Sequence, residues 1–357
     1  MRPTVTSSIQ QEYRQVVKRL IKRGVIAGGL AVARGLSAAG LMRGARRRGA
    51  IFTLHHVRPF VAAMFSPNAH LEITPQSLDA AIVRLKREDY RFIALADLPA
   101  HLAGDDRRPV AVFTLDDAYR DNLDHAAPVF AHHGVPFTVF ATEGFVKRTR
   151  SLWWETLAEL LQAKPRLTFD FGAGLERLHL QTPQQMQAAF ARFADFVHAG
   201  DEATAIADID RLARAEGLDP LSLTDRLTLD AAGLGVLSRR PGAAIGAHTV
   251  THRALARLSD ADAEDEIVRS VDAVAAITGV RPTTFAYPYG DGRAVSSRDM
   301  QLAGSHGLVA VTTQPGTLAS DADLTALPRI SLNGHFQTPG HVSALASGIP
   351  FRLMKGR

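Results

Sequence analysis

The sequence has 357 residues, 46% of them hydrophobic and 22% charged, which is typical of a folded globular protein and excludes a disordered or fibrous one. It contains no cysteine, so disulfides, thiolate metal sites and a cysteine nucleophile are excluded. The net charge is +5, but residues 1–50 contain eleven Lys and Arg against one acid, so the rest of the chain is mildly acidic. We therefore expect no nucleic-acid partner.

Residues 1–49 are predicted to form a basic, amphipathic N-terminal arm. Its longest uncharged run before Arg34 extends from Gly24 to Ala33, which is too short for a membrane-spanning helix of about 20 residues. Residues 12–48 can pack a helix on the body of the protein or make peripheral contact with an anionic membrane. The order of basic, apolar and small residues also imitates a secretory signal, but a long polar lead and Arg34 disfavour a cleaved one. We therefore expect a cytoplasmic protein, with membrane association left open.

After residue 50, short apolar runs alternate with helical segments. The helices include Thr74–Glu88 and Ser259–Thr278, each with a polar N-cap. Strands are predicted at Ile51–His55, Val110–Leu115, Phe137–Ala141, Ala243–Ala247, Thr284–Tyr287 and Leu308–Thr312. This alternation indicates an α/β protein with a parallel sheet or barrel over residues 50–335, interrupted by a mostly helical insertion at about 150–240. Residues 336–357 are predicted to be a C-terminal tail.

An aspartate pair follows one of these predicted strands. Asp116 and Asp117 come directly after Val110–Leu115, and two adjacent carboxylates at a strand end raise each other's proton affinity unless a cation is close. Consecutive residues point in different directions, so one carboxylate can bind a cation while the other faces a substrate water. A helix cap in a solvated turn is the simpler alternative for such a pair taken alone.

Two further segments follow predicted strands at the same edge. His248 and His252 are four residues apart after Ala243–Ala247, and a turn at Phe285–Gly290 ends the next strand. Active sites of α/β folds lie at the carboxyl ends of the strands, so these segments are expected to meet. One aspartate and two imidazoles can hold a metal ion while the second aspartate serves as a base, which suits attack of activated water on a carbonyl.

The segments resemble those of the NodB-homology polysaccharide deacetylases in order and spacing. They are Ile51–Val57, Phe113–Asp117, His248–His252 and Phe285–Gly290, and Leu327–Ile330 is similar to the closing part of that domain. The resemblance covers about residues 50–147 and 240–332. It implies a distorted (β/α) barrel with a helical insertion and an N-terminal helical arm.

The same resemblance implies a metal-dependent carbohydrate deacetylase, similar to the chitooligosaccharide deacetylases. Such an enzyme binds one divalent metal ion, most often zinc, and releases acetate from N-acetylated sugars of an oligo- or polysaccharide. By position, Asp117, His248 and His252 correspond to the metal ligands and Asp116 to the general base.

Other site residues are also implied by the resemblance. Tyr289, Tyr119 and His55 are expected to contact the substrate, and the backbone N–H of Tyr289 to hold the oxyanion. Ala286 stands where many members have an arginine that pairs with the base. Arg329, from a later strand, is the predicted replacement.

Two assignments stay open at this level. No clear leucine-x-histidine motif near the end of the chain supplies the general acid, for which His306, His335 and His341 are candidates. The aromatic residues of the insertion are predicted to be core, with stacking on sugar rings as the alternative. These are Trp153, Trp154, Phe169 and Phe171.

Three other functions compete with the leading one. The first is hydrolysis of another acyl ester or amide on the same fold. The second is a non-catalytic, glycan-associated relative, which the replaced arginine and the missing acid allow. Nucleic-acid binding is the weakest, because the basic residues are confined to one arm without a recognition motif.

Overall fold

The computed structural model describes residues 28–335 and 337–355, so residues 1–27 of the predicted arm lie outside the described residues. The twelve strands are β1 (Gly49–Leu54), β2 (His56–Val57), β3 (Glu72–Ile73), β4 (Arg91–Phe92), β5 (Val110–Leu115), β6 (Phe137–Ala141), β7 (Arg166–Asp170), β8 (Leu175–His179), β9 (Ala243–Ala247), β10 (Thr284–Ala286), β11 (Val309–Val311) and β12 (Arg329–Ser331). The helices are α1 (28–38), α2 (Pro75–Arg87), α3 (Leu98–Ala103), α4 (Ala127–His133), α5 (Glu143–Val146), α6 (Trp153–Ala163), α7 (Pro183–Ala199), α8 (Glu202–Ala215), α9 (Pro220–Leu227), α10 (Ala231–Ser238), α11 (Asp260–Thr278), α12 (Ser297–Ser305), α13 (Pro339–Ala346) and α14 (Ile349–Lys355).

Seven parallel strands form a nearly closed barrel, in the order β11-β10-β9-β6-β5-β1-β12. The short strand β4 adds a further pairing to the start of β5. A parallel bridge from Val311 to Leu327, just before β12, links the two ends of this order. The predicted distorted (β/α) barrel is thus confirmed, and every strand of the barrel directs its carboxyl end to one face.

Apolar sequence explains the position of these strands. Every residue of β1, β5 and β6 is buried, as expected for parallel strands that are covered on both sides. Residues at the ends of the surrounding helices cap them. Thr74 accepts a hydrogen bond from the Ser77 N–H at the start of α2, and α11 begins at the cap Ser259 and ends at the left-handed Gly279.

The insertion after α5 has its own hydrophobic core. Helices α6 to α9 pack around a cluster that includes Leu157, Phe169 and Phe193, separate from the cluster inside the barrel wall. The insertion also contains the antiparallel hairpin β7–β8, which the sequence did not predict. Strand β7 does alternate exposed and buried residues, but only two of its residues are apolar and no residue of β8 is buried, so the signal is short.

The C-terminal segment is part of the folded body instead of a tail. Helices α13 and α14 follow β12, and Val342 and Ala346 join the same core as the barrel strands. Leu30 and Ala33 of α1 pack with Ala344 and Ile349 in a smaller cluster. The prediction of a tail at 336–357 is therefore wrong for the described residues, because two short apolar faces cover each other there. No helix among residues 28–335 and 337–355 combines the length and apolar character needed to cross a membrane.

Candidate active site

The aspartate pair occupies the carboxyl end of β5, where the backbone turns sharply. Asp116 and Asp117 are 3% and 2% exposed, and the Asp116 N–H donates to Leu54 O of the neighbouring strand at 3.0 Å. Asp117 and Ala118 have φ of 70° and 49°, in the left-handed region that residues other than glycine rarely adopt. Such strain persists where the surrounding structure enforces it, commonly at functional sites, and here it separates the directions of the two carboxylates.

Asp117 converges with two histidines of the loop after β9, which is separated from β5 in the barrel by β6. Asp117 Oδ1 lies 3.6 Å from His248 Nε2 and 3.3 Å from His252 Nε2, and one ligand atom from each residue lies within 4.8 Å of the others. Asp117 Oδ1 is buried and has no hydrogen-bond partner among the described residues. A buried carboxylate oxygen without a donor is costly, and a cation between the three side chains would remove that cost.

The His248 imidazole is in the neutral state that a metal ligand requires. His248 Nδ1 lies 2.6 Å from Ala286 O, so Nδ1 carries the proton and Nε2 directs its lone pair toward Asp117. Burial lowers the pKa of His248 to about 4, which keeps the ring neutral at pH 7. The set of one carboxylate and two imidazoles therefore fits a divalent metal ion.

The histidine loop is held in place by a buried glutamate of α11. Glu266 Oε2 accepts from the N–H groups of Val250 and Thr251, each at 2.8 Å, and its other oxygen accepts from the Thr251 hydroxyl. Within the loop, the His252 N–H donates to Thr249 Oγ1 at 2.9 Å. The loop that carries both imidazoles is thus fixed by groups that do not line the site.

Asp116 is paired with a buried arginine from the last strand of the barrel. Arg329 is 1% exposed, and its Nη1 and Nη2 donate to the two oxygens of Asp116, each at 2.7 Å. It also donates to Thr312 O at 2.8 Å and to Thr114 Oγ1 at 3.2 Å. Burial opposes ionisation of Asp116, but the Arg329 guanidinium holds the pKa of that carboxyl well below its usual range. The predicted partner of Asp116 is therefore in contact with it.

Two more predicted residues line the same cavity. His55 Nε2 lies 3.9 Å from Asp116 Oδ2, and burial lowers the pKa of His55. Tyr289 has φ of 60°, in a turn whose Gly290 packs too closely against Thr313 for a side chain. Its backbone N–H has no acceptor among the described residues, as an oxyanion donor requires in the absence of substrate.

The insertion forms the apolar side of the cavity, whose volume is about 480 Å³. Trp153, Trp154 and Phe190 line it, so both tryptophans are core residues that also face the site. By contrast, Phe169 belongs to the insertion core and Phe171 packs against it.

A buried glutamate connects the insertion to the site loops. Glu202, the first residue of α8, accepts from the Tyr289 hydroxyl at 2.6 Å and from the Ala254 N–H at 3.0 Å. Trp153 Nε1 donates to the same hydroxyl at 3.1 Å. The insertion therefore supports both the turn at Tyr289 and the segment after His252.

Some expectations from the sequence are corrected here. Tyr119 is fully buried and does not line the cavity, because its hydroxyl accepts from Trp154 Nε1 at 3.0 Å behind the cavity wall. His306 pairs with Glu264 on the surface at 3.0 Å, away from the site. His335 and His341 are not among the residues that line the cavity.

Sequence reasoning missed other residues of the site. His70 precedes β3 and His198 lies near the end of α7, and both line the cavity. Neither stands in a motif, so only the packing of the insertion on the barrel could reveal them. Glu202 looks like an ordinary acidic residue in the first turn of a helix, which gives no sign of its contacts.

Comparisons with known proteins give one family match for part of the chain. The sequence model of the polysaccharide deacetylase family matches residues 237–311, which contain His248 and His252. No curated protein sequence matches the chain.

Solved structures show the same fold. The chain is similar to the deacetylase PplD of Streptococcus pyogenes, solved with acetate, with a TM-score of 0.55 and 16% identity over 82% of this chain and 96% of PplD. It is similar to IcaB of Ammonifex degensii with a TM-score of 0.52 and 14% identity, covering 84% of this chain and 96% of IcaB. It is also similar to a polysaccharide deacetylase of Bacillus cereus, with a TM-score of 0.51 and 15% identity over 84% of this chain and 68% of that one. The family match over residues 237–311 and the shared barrel fold support the resemblance to the NodB-homology polysaccharide deacetylases.

Proposed function

We propose that the chain is a metal-dependent hydrolase that removes acetyl groups from N-acetylated sugars of an oligo- or polysaccharide. The observation that carries the proposal is the position of Asp116. This carboxylate is held ionised by Arg329 and is adjacent in sequence to Asp117, which faces His248 and His252. This arrangement supports a base at Asp116 beside a set of metal ligands, as hydrolysis of an amide by water requires.

The three ligand residues would hold one divalent ion, and we propose zinc because two imidazoles and one carboxylate suit it. Such an ion supplies Lewis acidity toward a carbonyl and lowers the pKa of a bound water. The remaining steps belong to side chains and backbone of the protein.

The proposed reaction uses Asp116 as the base. The water oxygen attacks the acetyl carbonyl carbon while the Asp116 carboxylate takes the water proton. The Tyr289 N–H donates to the oxyanion that forms. The carbon–nitrogen bond then breaks, the nitrogen receives a proton through Asp116 and the adjacent His55, and acetate and the free amine leave.

The apolar wall of the cavity would hold the sugar. Trp153 and Phe190 present aromatic surface, while Asn68, His70 and Ser331 supply polar groups at the same cavity. This mixture is typical of sites that bind a ring with one apolar face and several hydroxyls. It favours a saccharide over a small acylated amine.

The test combines metal content with acetate release from N-acetylated chitooligosaccharides. We expect about one divalent ion per chain in the wild type. Asp116→Asn should retain the ion and lose turnover, and His248→Ala should lose both. His306→Ala, a surface histidine far from the site, is the matched control and should change neither. Full turnover by Asp116→Asn would contradict the assigned base, and metal binding without acetate release would direct the search to other acyl substrates.

A further inference from the structure

A second cavity lies at the amino end of the barrel, on the opposite side from the active site. It has a volume of about 350 Å³ and is lined by Arg47, Arg48, Arg107, Ala319, Ser320 and Asp321. Arg48 directly precedes β1, and Arg107 precedes β5 by three positions. Asp116 follows the other end of β5, and a strand of six residues spans about 20 Å. The two cavities are therefore separate, and both can be occupied at the same time.

Arg48 is a buried cation without a counterion. It is 5% exposed, and its Nη2 donates to His101 O at 2.6 Å and to Asp106 O at 2.9 Å. Its Nε and Nη1 have no acceptor among the described residues. No carboxylate of the described chain lies within 4.0 Å of it, because Asp106 directs its side chain to Arg91 and Arg108. Burial of an unpaired guanidinium is costly, so its retention points to a partner from outside the chain.

The other two arginines of the cavity can also contact a ligand. Arg47 and Arg107 are exposed and form no ion pair within the part of the chain that the structure describes. Arg47 has φ of 51°, while the backbone of Arg48 is fixed by hydrogen bonds to Leu318 and Val110, each at 2.9 Å. The arginines are thus presented by a strained and well-anchored segment, and Asp321 is the single acid among the lining residues.

We propose that this cavity binds a phosphate group, either free or as a phosphomonoester. Three guanidinium groups and one carboxylate leave two net positive charges, which a phosphate dianion balances. The planar fork of arginine matches the oxygens of phosphate, and hydrogen bonds between charged partners are the stronger class. A cavity of about 350 Å³ holds a phosphate with room for the group that it is attached to.

The test is calorimetric titration of the full chain with inorganic phosphate, against chloride at equal ionic strength. We expect saturable binding near one phosphate per chain. Arg107→Ala and Arg47→Ala should each weaken it at least about tenfold, since each removes a charge-assisted hydrogen bond from an exposed side chain that the fold does not need. Arg269→Ala, an exposed arginine paired with Asp265 on α11, is the matched control and should bind as the wild type does.

A second titration distinguishes the source of the phosphate. Phosphatidylcholine vesicles with and without phosphatidate are mixed with the wild type and with both arginine variants. Binding to phosphatidate vesicles that both variants lose, without binding of free phosphate, would assign the cavity to a lipid headgroup. Phosphate binding that persists in Arg107→Ala and Arg47→Ala would place the anion elsewhere, and absence of binding in both titrations would equally overturn the proposal.

Discussion

Replacement of Arg329 by methionine should strongly destabilise the folded protein. Arg329 is almost fully buried and donates two hydrogen bonds of 2.7 Å to Asp116. Methionine fills part of the volume but leaves Asp116 buried without a counter-charge. Removal of one partner from a buried ion pair costs about 3–5 kcal/mol, so we expect a loss of that size in the free energy of unfolding at pH 7.

The pH dependence of this loss tests its cause. In the wild type the pKa of Asp116 is depressed, so its contribution to stability is present above the unfolded pKa of about 3.9 and disappears as the pH falls through the folded value. In Arg329→Met, burial without the guanidinium should raise the pKa of Asp116. The difference in stability between the two proteins should therefore shrink toward acid pH, and the acid limb of kcat/KM should move to higher pH.

Urea denaturation of metal-free wild type, Arg329→Met and the double variant Asp116→Asn/Arg329→Met measures these quantities. The double variant should recover most of the stability lost in the single one, because it no longer buries an unpaired charge. A loss below about 1 kcal/mol at pH 7, or a loss that is the same at acid pH, would refute the reasoning.

Three other outcomes are expected. Glu202→Gln should lower kcat by about tenfold, because glutamine keeps only one acceptor oxygen for the Ala254 N–H and the Tyr289 hydroxyl, and Glu202→Leu should lower kcat further. Wild-type activity in both variants would show that the contact is dispensable. Although burial opposes the charge, Asp121 at 2.5 Å raises the pKa of His56 to about 9, so this pair stabilises the fold fully below about pH 6.5 and the contribution is lost as the pH rises through 9. Thermal melts of His56→Gln should lack that alkaline decline, and a decline identical to the wild type would contradict the assignment. Trp153→Ala should raise KM about tenfold or more through lost stacking, whereas a variant of Phe169 in the insertion core should lower the melting temperature without changing KM.

The barrel and the cluster of Asp117, His248 and His252 could be predicted because their signals are local in sequence. Buried parallel strands give short apolar runs, and the residues that follow them must share one face. Asp116, Asp117 and His248 each directly follow such a run, so their convergence was accessible without a structure. His252, four residues further, joins them through the turn of its loop.

The residues that the insertion adds to the site could not be predicted from the sequence. Trp153 and His198 line the cavity, and Glu202 contacts Tyr289, only because the insertion packs on the barrel. That packing has no period or motif in the sequence. Each also has an ordinary role within its helix. Tyr119 is the opposite case, a residue predicted for the site that lies outside it. Its position two residues after Asp117 suggested a substrate contact. After the left-handed backbone at Asp117 and Ala118, however, its side chain points behind the cavity wall to Trp154.

The origin of Arg329 has a consequence for how the protein is made. The guanidinium that keeps Asp116 ionised is supplied from a position 213 residues further along the chain, on the strand that completes the barrel. A nascent chain that has emerged only as far as β11 already contains Asp117, His248 and His252 but lacks the counter-charge of the base. Under the proposed function, competence for hydrolysis arises only after the last strand has docked. An incomplete or C-terminally clipped chain would then keep the three proposed metal ligands without carrying out the reaction.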